Sequence, residues 1–464
     1  MAAVKGLLPP GLLRGLRRRF AGLEEDSGGH RQTAGRLFFN NAAGAYRLNS
    51  VLELQSRLGR IPDYPSRTSP QAAALWEAAE YGKARLRDLL EAPPEGVILQ
   101  DLTASRLLFS LIEAAARVCQ GDTLVVTALD HPAAIDGLRR AAGRLGKRAV
   151  IIPADQTTHS VSAADALSRL DRHTGLLVMT YTSNSTGAVL PVPEIARRAR
   201  EINPEIYLII DAVQKAPHGP VGLSGFPADA VVIAPYKMFS ARGSGLAWCS
   251  ERLSAASQDC LIGQSIPSWE LGSQDPVSYA LMGPVGDYFQ WLGGHFLPEA
   301  AGVSARARIQ EGLRRAERHE RALLELLLEG QWEPAGASAD AGPARQRLPE
   351  PSRAPGQTRP RRIIPGLRQI PGLRLCFDRP GFAERDLILS FCLPGWNGEA
   401  AFNAFLEGGA VTSLRQKGSV YCGQLLADYG IDWLLRVSPM HYHGPREIRR
   451  FLALAREISG RAAQ

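Results

Sequence analysis

The residues best suited to chemistry follow short apolar runs of the chain. Lys237 comes three residues after AVVIA, Asp211 directly follows IYLII, and His131 comes three residues after TLVVTA. Asn184 and Gln214 lie just past two such runs. Because ligands of an open α/β sheet gather outside the carboxyl ends of its strands, these side chains are expected to meet at one edge. An amine, a carboxylate, an imidazole and two amides there indicate a cofactor site.

Lys237 is the strongest of these candidates. Lysine supplies only six of the 54 basic residues, and arginine supplies the rest. Arginine can replace lysine where only charge matters, but not where an amine must lose its proton and attack a carbonyl. Alone, Lys237 would more often be a surface lysine. Together with the neighbouring strand ends it favours Schiff-base chemistry.

The elements that must position these side chains alternate between strands and helices, which predicts an α/β domain. Consecutive Val and Ile residues between helical segments are typical of a mainly parallel sheet covered on both faces. The predicted strands are Thr123–Ala128, Ala149–Pro153, Leu176–Tyr181, Ile206–Ile210 and Ala230–Ala234, and the predicted helices between them are Ala133–Leu145, Ala163–Leu170 and Pro193–Ile202.

The domain organisation is expected to be uneven. We predict a flexible basic segment at residues 1–35, a large domain at 36–300 and a smaller α+β domain at 301–464. The Pro- and Arg-rich segment 334–366 is expected to be a disordered insertion, because it has few large apolar residues to bury. After it we predict a strand at Leu387–Leu393 and a helix that begins near Pro445.

Composition excludes several classes of function. The 464 residues are 45% apolar, and no apolar run is long enough to span a membrane. The positive charge behind the net +8 lies in segments 1–22 and 334–362, and the rest of the chain is close to neutral. We therefore expect no nucleic-acid partner. Six cysteines without CxxC spacing argue against a disulfide scaffold, and no metal site is expected. We expect a cytoplasmic protein, or a mitochondrial matrix protein if residues 1–22 are a transit peptide.

Seven short motifs, in order along residues 36 to 460, carry a family resemblance. They are FFNNAAG (38–44), DHPAAI (130–135), TSNSTGAVLPVPEI (182–195), IDAVQKAPHG (210–219), YKMFSARGSGLAW (236–248), WELGSQD (269–275) and LRVSPMHYHGPREI (435–448). Each motif is weak alone. Together they resemble the class V aminotransferase-fold enzymes of the cysteine desulfurase-like group, which have fold type I and use pyridoxal 5'-phosphate (PLP).

The resemblance implies roles for the residues at the strand ends. Lys237 would form the Schiff base with PLP and move the proton at the substrate Cα. Asp211 would keep the pyridine nitrogen protonated, which makes the ring an electron sink. His131 would stack on the ring, Gln214 would hydrogen-bond its phenolate oxygen, and Asn184 would contact the cofactor or the substrate carboxylate.

The resemblance also implies a substrate site and a phosphate site. Arg436 would bind the substrate α-carboxylate through a bidentate contact, and Asn41 would border the substrate. Thr103 and Ala104 would bind the phosphate at a helix N-terminus. The family's Ser-x-His-Lys pattern reads Ala-Pro-Tyr-Lys here, so Tyr236 is expected to replace one lost phosphate contact. Ser273 would reach the phosphate of a neighbouring subunit, which implies a homodimer with shared active sites.

The reaction itself stays open. Desulfurases of this group carry sulfur as a persulfide on a mobile cysteine, and Cys422 lies in the corresponding region. However, LRQKGSVYCGQLL resembles the subgroup with Gly-His-Phe-Tyr-Ala, in which Cys422 falls on the alanine, so a buried structural thiol is the other interpretation. We expect C–S cleavage or β-elimination on a small L-amino acid, with a sulfur acceptor protein if persulfide forms. The alternatives are a class V aminotransferase or epimerase, and a non-catalytic PLP-fold protein.

Overall fold

The computed structural model describes residues 6–23, 35–62, 69–256, 263, 269, 274–297, 302–332, 362–379, 381, 382 and 384–461. Its strands are β1 (Leu37–Phe38), β2 (Val97–Asp101), β3 (Thr123–Thr127), β4 (Arg148–Ile152), β5 (Thr174–Thr180), β6 (Tyr207–Asp211), β7 (Ala230–Ile233), β8 (Gly245–Cys249), β9 (Gly330–Trp332), β10 (Arg362–Pro365), β11 (Arg374–Cys376), β12 (Leu389–Cys392), β13 (Ala410–Val411), β14 (Ser413–Gln416) and β15 (Trp433–Val437).

The helices alternate with these strands over most of the chain. They are α1 (Pro10–Arg17), α2 (Asn49–Leu58), α3 (Pro70–Leu90), α4 (Ala104–Val118), α5 (Pro132–Leu145), α6 (Ala163–Leu167), α7 (Val192–Ile202), α8 (Lys215–His218), α9 (Glu251–Ser254), α10 (Val277–Ala280), α11 (Met282–Gly294), α12 (Ala305–Glu329), α13 (Gly398–Glu407), α14 (Gly423–Asp428) and α15 (Pro445–Ser459). Among the described helices, none is both long enough and apolar enough to cross a membrane.

The central sheet of the described chain has seven strands in the order β2-β8-β7-β6-β5-β3-β4. Strands β7, β6, β5, β3 and β4 are parallel, whereas β8 runs antiparallel to both of its neighbours. The five predicted strands are confirmed, with ends within two residues of those observed. Strands β2 and β8 were not predicted, and they extend the sheet beyond β7.

Both faces of this sheet are buried, which explains its continuous apolar runs. In β3, Val125 packs in one hydrophobic core, while Leu124 and Val126 pack in the core on the opposite face. A strand covered on both faces favours apolar side chains at consecutive positions. The prediction of a mainly parallel sheet covered by helices is therefore confirmed, and the carboxyl ends of β5, β6 and β7 meet at one edge.

The C-terminal region contains a separate antiparallel sheet in the order β11-β12-β15-β14. Its β12 and α15 correspond to the predicted strand and helix. The strand β10 pairs with β9, although residues 362–365 lie in the segment expected to be disordered. The difference arises because the backbone of this end can pair with β9, which directly follows the long helix α12. Residues 334–361 of that segment lie outside the described residues.

The N-terminal segment differs from the flexible chain that we expected. Residues 10–17 form α1, in which Pro10 occupies the first turn, where its fixed φ favours a helix start. Leu16 and Phe20 are fully buried, and the backbone N–H of Leu8 donates to Nδ1 of His319 at 3.0 Å. An apolar face therefore fixes this basic segment to the body of the protein. Residues 24–34 lie outside the described part of the chain.

Candidate active site

A cavity of about 300 Å³ lies at the carboxyl edge of the central sheet. The strand-end residues His131, Asn184, Asp211, Gln214 and Lys237 all contribute to its lining. Three further predicted residues, Thr103, Ala104 and Tyr236, also line it. The structure therefore brings together eight of the twelve residues that the sequence pointed to.

Lys237 is held in a short helical turn, Pro235–Lys237, directly after β7. Its side chain is buried, and only 9% of the residue is exposed. Burial and the positive charge of Arg436 lower the pKa of its amine to about 7, while Asp211 opposes that change. An amine with this pKa is partly neutral at physiological pH, which is the nucleophilic form.

Asp211 ends β6 and faces the same cavity. It is almost fully buried, and its Oδ1 accepts a hydrogen bond from the backbone N–H of Val213 at 2.9 Å. Burial raises the pKa of the carboxyl, whereas this amide and the Lys237 amine oppose that rise. A cationic N–H placed in the cavity would favour the charged carboxylate in the same way.

His131 caps the N-terminus of α5 and keeps its ring at the cavity. Nδ1 accepts a hydrogen bond from the backbone N–H of Ala133 at 3.1 Å. Burial, with the charges of Lys237 and Arg415, lowers the pKa of the imidazole to about 4. The ring is therefore neutral and fixed in orientation at physiological pH, as a stacking partner requires.

The side-chain amides of Gln214 and Asn184 differ in the hydrogen bonds that they already form within the protein. Gln214 donates from Nε2 to the carbonyl oxygen of Ala42 at 3.0 Å, and its Oε1 has no partner among the described residues. Asn184 accepts at Oδ1 from the hydroxyl of Ser185 at 3.2 Å. Both side chains reach the cavity, so each keeps polar capacity for a ligand.

The start of α4 forms the polar end of the cavity. Thr103 caps this helix by accepting from the backbone N–H of Arg106 at 3.1 Å, and Ala104 and Ser105 begin the first turn. First-turn amides have no acceptor within the helix and can bind an anion. A Cβ at Gly245 would lie 2.1 Å from the backbone nitrogen of Ala104, so glycine permits the close approach of β8 to this helix start.

Tyr236 lies beside this anion site, where a phosphate-binding hydroxyl was expected. The guanidinium of Arg242 lies 4.1 Å from the centre of its ring and donates to the carbonyl oxygen of Ala43 at 3.1 Å. Arg242 itself lines the cavity, and the sequence analysis did not identify it. Its position on the loop after Lys237 was the signal available. Ser273 lies outside the described residues.

Arg436 lies immediately behind the cavity wall. It is 1% exposed and donates from Nη1 to the carbonyl oxygen of Asn184 at 2.7 Å and from Nη2 to Oδ1 of Asn40 at 3.4 Å. Its Nε is buried without a partner among the described residues. Burial and the nearby charge of Arg415 lower its pKa to about 9. Unused donor capacity on a buried cation fits an anionic ligand at this wall.

Asn41 has contacts that differ from its expected substrate role. Its Nδ2 donates to the carbonyl oxygens of Phe38 at 3.1 Å and Ser438 at 2.8 Å. Its Oδ1 accepts from the hydroxyl of Tyr442. The side chain is thus occupied in joining the N-terminal motif to the segment after β15, and it does not line the described cavity.

Cys422 also differs from the expected catalytic position. The residue is 6% exposed, belongs to the hydrophobic core, and is absent from the lining of the cavity in the described chain. Burial raises the pKa of its thiol despite the charge of Arg415, so the thiolate is disfavoured. The neighbouring Tyr421 lines the cavity instead, and the sequence analysis missed it although the resemblance placed a tyrosine at this position.

A mainly parallel α/β sheet with a buried lysine and a buried aspartate at its carboxyl edge is the arrangement of a cofactor-binding α/β protein. Comparison with known proteins identifies the family. The model of the family described as Aminotransferase class-V matches residues 37–273, just over half of the chain. The chain belongs to this family.

Similar proteins include several named as cysteine desulfurases. The chain is 30% identical over 212 residues to a probable cysteine desulfurase 2 of Mycobacterium leprae, which covers 45% of this chain and 48% of the relative. It is 27% identical over 225 residues to a probable cysteine desulfurase of Aeropyrum pernix, with 47% and 53% covered. The chain thus matches about half the length of these curated relatives.

Solved structures extend the likeness of the fold to nearly the whole chain. A cysteine desulfurase of Thermococcus onnurineus has a TM-score of 0.70 at 16% identity and covers 99% of both chains. A cysteine desulfurase of Escherichia coli has a TM-score of 0.68 at 17% identity and covers 96% of this chain and 98% of its own. The expected α/β architecture with a further small sheet is confirmed.

The residues of the cavity fit the cofactor that this family uses. The buried amine of Lys237 can condense with an aldehyde, and Asp211 can pair with a ring N–H. The backbone amides at the start of α4 suit a phosphate. Glycine at 245 leaves the Ala104 amide unobstructed, because a Cβ there would lie 2.1 Å from its nitrogen. Positively charged Arg436 and Arg242 suit the anionic groups of a cofactor and of an amino-acid substrate.

Proposed function

We propose that this protein is a PLP-dependent enzyme that cleaves the C–S bond of L-cysteine or of a similar small L-amino acid. The observation that carries the proposal is the pair formed by Lys237 and Asp211. Both side chains are buried at one cavity, and the pKa of the lysine amine is lowered to about 7. Relatives named as cysteine desulfurases support the choice of reaction.

PLP, when bound, supplies an electron sink for the charge that develops at the substrate Cα. Lys237 in its neutral form accepts the Cα proton, since an amine with a pKa near the working pH is an effective base. Asp211 holds a proton on the ring nitrogen. Neutral His131 provides a flat apolar surface that excludes water from one side of the cavity.

Binding of the substrate depends on the arginine behind the wall. Arg436 attracts the α-carboxylate and keeps one unpaired buried donor for it. Thr103 and the first amides of α4 hold the phosphate, and Tyr236 borders that site. We also propose a homodimer in which Ser273 of one subunit approaches the phosphate site of the other. Any acceptor of the sulfur would bind this dimer.

The test is the visible spectrum of the purified protein before and after addition of L-cysteine, followed by analysis of the products. A yellow protein whose absorption shifts on mixing and that releases sulfide supports the proposal. A yellow protein that ignores cysteine but forms a keto acid from another amino acid would favour a transaminase. A colourless protein that cannot be reconstituted with PLP would refute enzymatic function at this site.

A further inference from the structure

The side chain that enters the cavity from the C-terminal region is a phenol. Tyr421 lines the cavity, and its ring centre lies 5.9 Å from that of His131 with the planes tilted by 43°. The residue is 54% exposed, so water also reaches it. Tyr421 belongs to the 417–422 loop, which connects β14 to α14.

The fold of the 417–422 loop determines which of two neighbouring residues faces the cavity. The backbone N–H of Gly423 donates to the carbonyl oxygen of Ser419 at 2.8 Å, and that of Tyr421 donates to the hydroxyl of Ser419 at 3.2 Å. Lys417 is fixed to Asp432 by a backbone hydrogen bond of 2.9 Å. A Cβ at Gly423 would lie 2.3 Å from the carbonyl oxygen of Lys417, so the loop is closely folded on itself.

Cys422, the residue after Tyr421, does not line the cavity in the described part of the chain. Cys422 packs in the hydrophobic core together with Leu425, Leu426 and Leu434, as the residue before the first turn of α14. The group that lines the cavity is therefore a hydroxyl, which can donate a proton, and not a sulfur nucleophile.

Resting on the proposed function, we infer that this enzyme releases sulfur as free sulfide by β-elimination, with Tyr421 as the acid that protonates the departing sulfur. Lys237 takes the proton from Cα. The C–S bond then breaks, its electron pair leaves with the sulfur, and the Tyr421 hydroxyl gives its proton to that sulfur. Solvent restores the proton to the exposed phenol and removes the one on Lys237. The 2-aminoacrylate product reacts with water to give pyruvate and ammonia.

This reaction balances without an oxidant, a reductant or an acceptor protein. Cysteine and water give pyruvate, ammonia and hydrogen sulfide. Persulfide transfer would instead give alanine and would leave the sulfur on a protein thiol. The ratio of pyruvate to alanine, measured with purified enzyme and L-cysteine in the absence of added thiol, therefore separates the two reactions. We expect pyruvate and sulfide in equal amounts.

The role of Tyr421 is tested by changing the leaving group. β-Chloro-L-alanine loses chloride, which needs no proton, whereas cysteine loses a sulfur that is a much stronger base. Tyr421→Phe should lower kcat with cysteine by about 10²-fold, the usual range for loss of a general acid, and change kcat with β-chloroalanine by less than about threefold. Val420→Ala is the matched control, since Val420 is 79% exposed in the same loop, and it should leave both rates unchanged.

The outcomes are distinguishable. Alanine as the main product of the wild-type enzyme, or equal rates for wild type and Tyr421→Phe with cysteine, would overturn the inference and leave the proposed function intact. An equal fall of kcat with both substrates in Tyr421→Phe would show that the phenol positions the substrate and would overturn its role as the acid. Wild-type enzyme that processes neither substrate and shows no spectral change would overturn the proposed function and the inference with it.

Discussion

The two sides of the cavity are built by different means. On one side, Lys237, Asp211 and His131 follow strands of the central sheet, and we call them the sheet-edge group. On the other side, the 417–422 loop presents Tyr421 to the cavity and directs Cys422 into the core. The sheet-edge group lines the cavity, whereas the loop residue that lines it is Tyr421 and not the predicted Cys422.

This difference separates cofactor chemistry from reaction outcome. The sheet-edge group is embedded between rigid strands, and burial changes the pKa of each of its members. In the proposed reaction, the loop determines which side chain the leaving sulfur meets. Members of one fold family can therefore share the first chemical step and differ in the second.

The largest effect is expected at Lys237. In the proposed function, Lys237 is both the amine that condenses with PLP and the base that takes the Cα proton, so Lys237→Ala should lower turnover by at least about 10³-fold. The visible absorption of the lysine-bound cofactor should be lost as well. Lys83→Ala, which removes a lysine of α3 outside the cavity lining, is the control. Normal turnover in Lys237→Ala would contradict the function of the sheet-edge group.

A smaller but still large effect is expected at Asp211. Asp211→Asn keeps the size of the side chain and an oxygen for the Val213 N–H, but it removes the charge that stabilises a ring N–H. We expect cofactor binding to persist and kcat to fall by about 10²-fold or more, which absorption and steady-state kinetics would measure.

The control for Asp211 is a carboxylate at the opposite edge of the sheet. Asp229 lies directly before β7, is buried, and forms ion pairs with Arg200 and Arg252. Asp229→Asn should lower the melting temperature and leave kcat within about twofold, because its partners lie far from the cavity lining. An equal loss of kcat in both variants would mean that Asp211 acts only through stability.

The sequence predicted the sheet-edge group because strand order and strand direction follow from simple patterns. Runs of Val and Ile in β3, β6 and β7 can be recognised without tertiary information. Strand β8, GLAWC, was missed because its Gly and Ala residues weaken the strand signal, and the need for glycine at 245 arises from tertiary contacts with Thr103 and Ala104. The helix α1 was not predicted, because Pro9, Pro10 and the arginines at 17–19 favour a flexible, solvated chain unless tertiary contacts bury an apolar face.

The loop residue at the cavity could not be predicted in the same way. Tyr421 and Cys422 are adjacent, so sequence position alone cannot say which side chain faces the cavity. The choice depends on the hydrogen bonds of Ser419 and on the close approach of Gly423 to Lys417. These are tertiary contacts of a short loop, which no periodicity encodes.

An intermediate effect is expected when Arg436 is neutralised. Its positive charge disfavours protonation of Lys237, so Arg436→Gln should raise the pKa of that amine above about 7. Only the neutral amine attacks the PLP aldehyde. The rate at which apoprotein binds PLP should therefore rise with pH through about 7 in the wild type, and at higher pH in the variant. KM for the amino acid should also rise, by about tenfold, for the lost carboxylate contact.

Arg385→Gln provides the matched control for that experiment. Arg385 is also buried, but it donates to the carbonyl oxygens of Thr186 and Phe377 and is not among the groups that perturb Lys237. Its substitution should lower stability and leave unchanged the pH at which the rate of PLP binding rises. A profile that moves equally in both variants would attribute the change to loosened structure.

The smallest effect on turnover is expected at Cys422, which belongs to the 417–422 loop but does not line the described cavity. The thiol is buried in the core and its pKa is raised, so Cys422→Ala removes packing and no reacting group. We expect a melting temperature lower by a few degrees, since loss of a small buried group costs on the order of 1 kcal/mol. Turnover with L-cysteine should stay within about twofold. Loss of turnover in Cys422→Ala, with retention in Tyr421→Phe, would contradict this expectation and assign the catalytic role to the thiol.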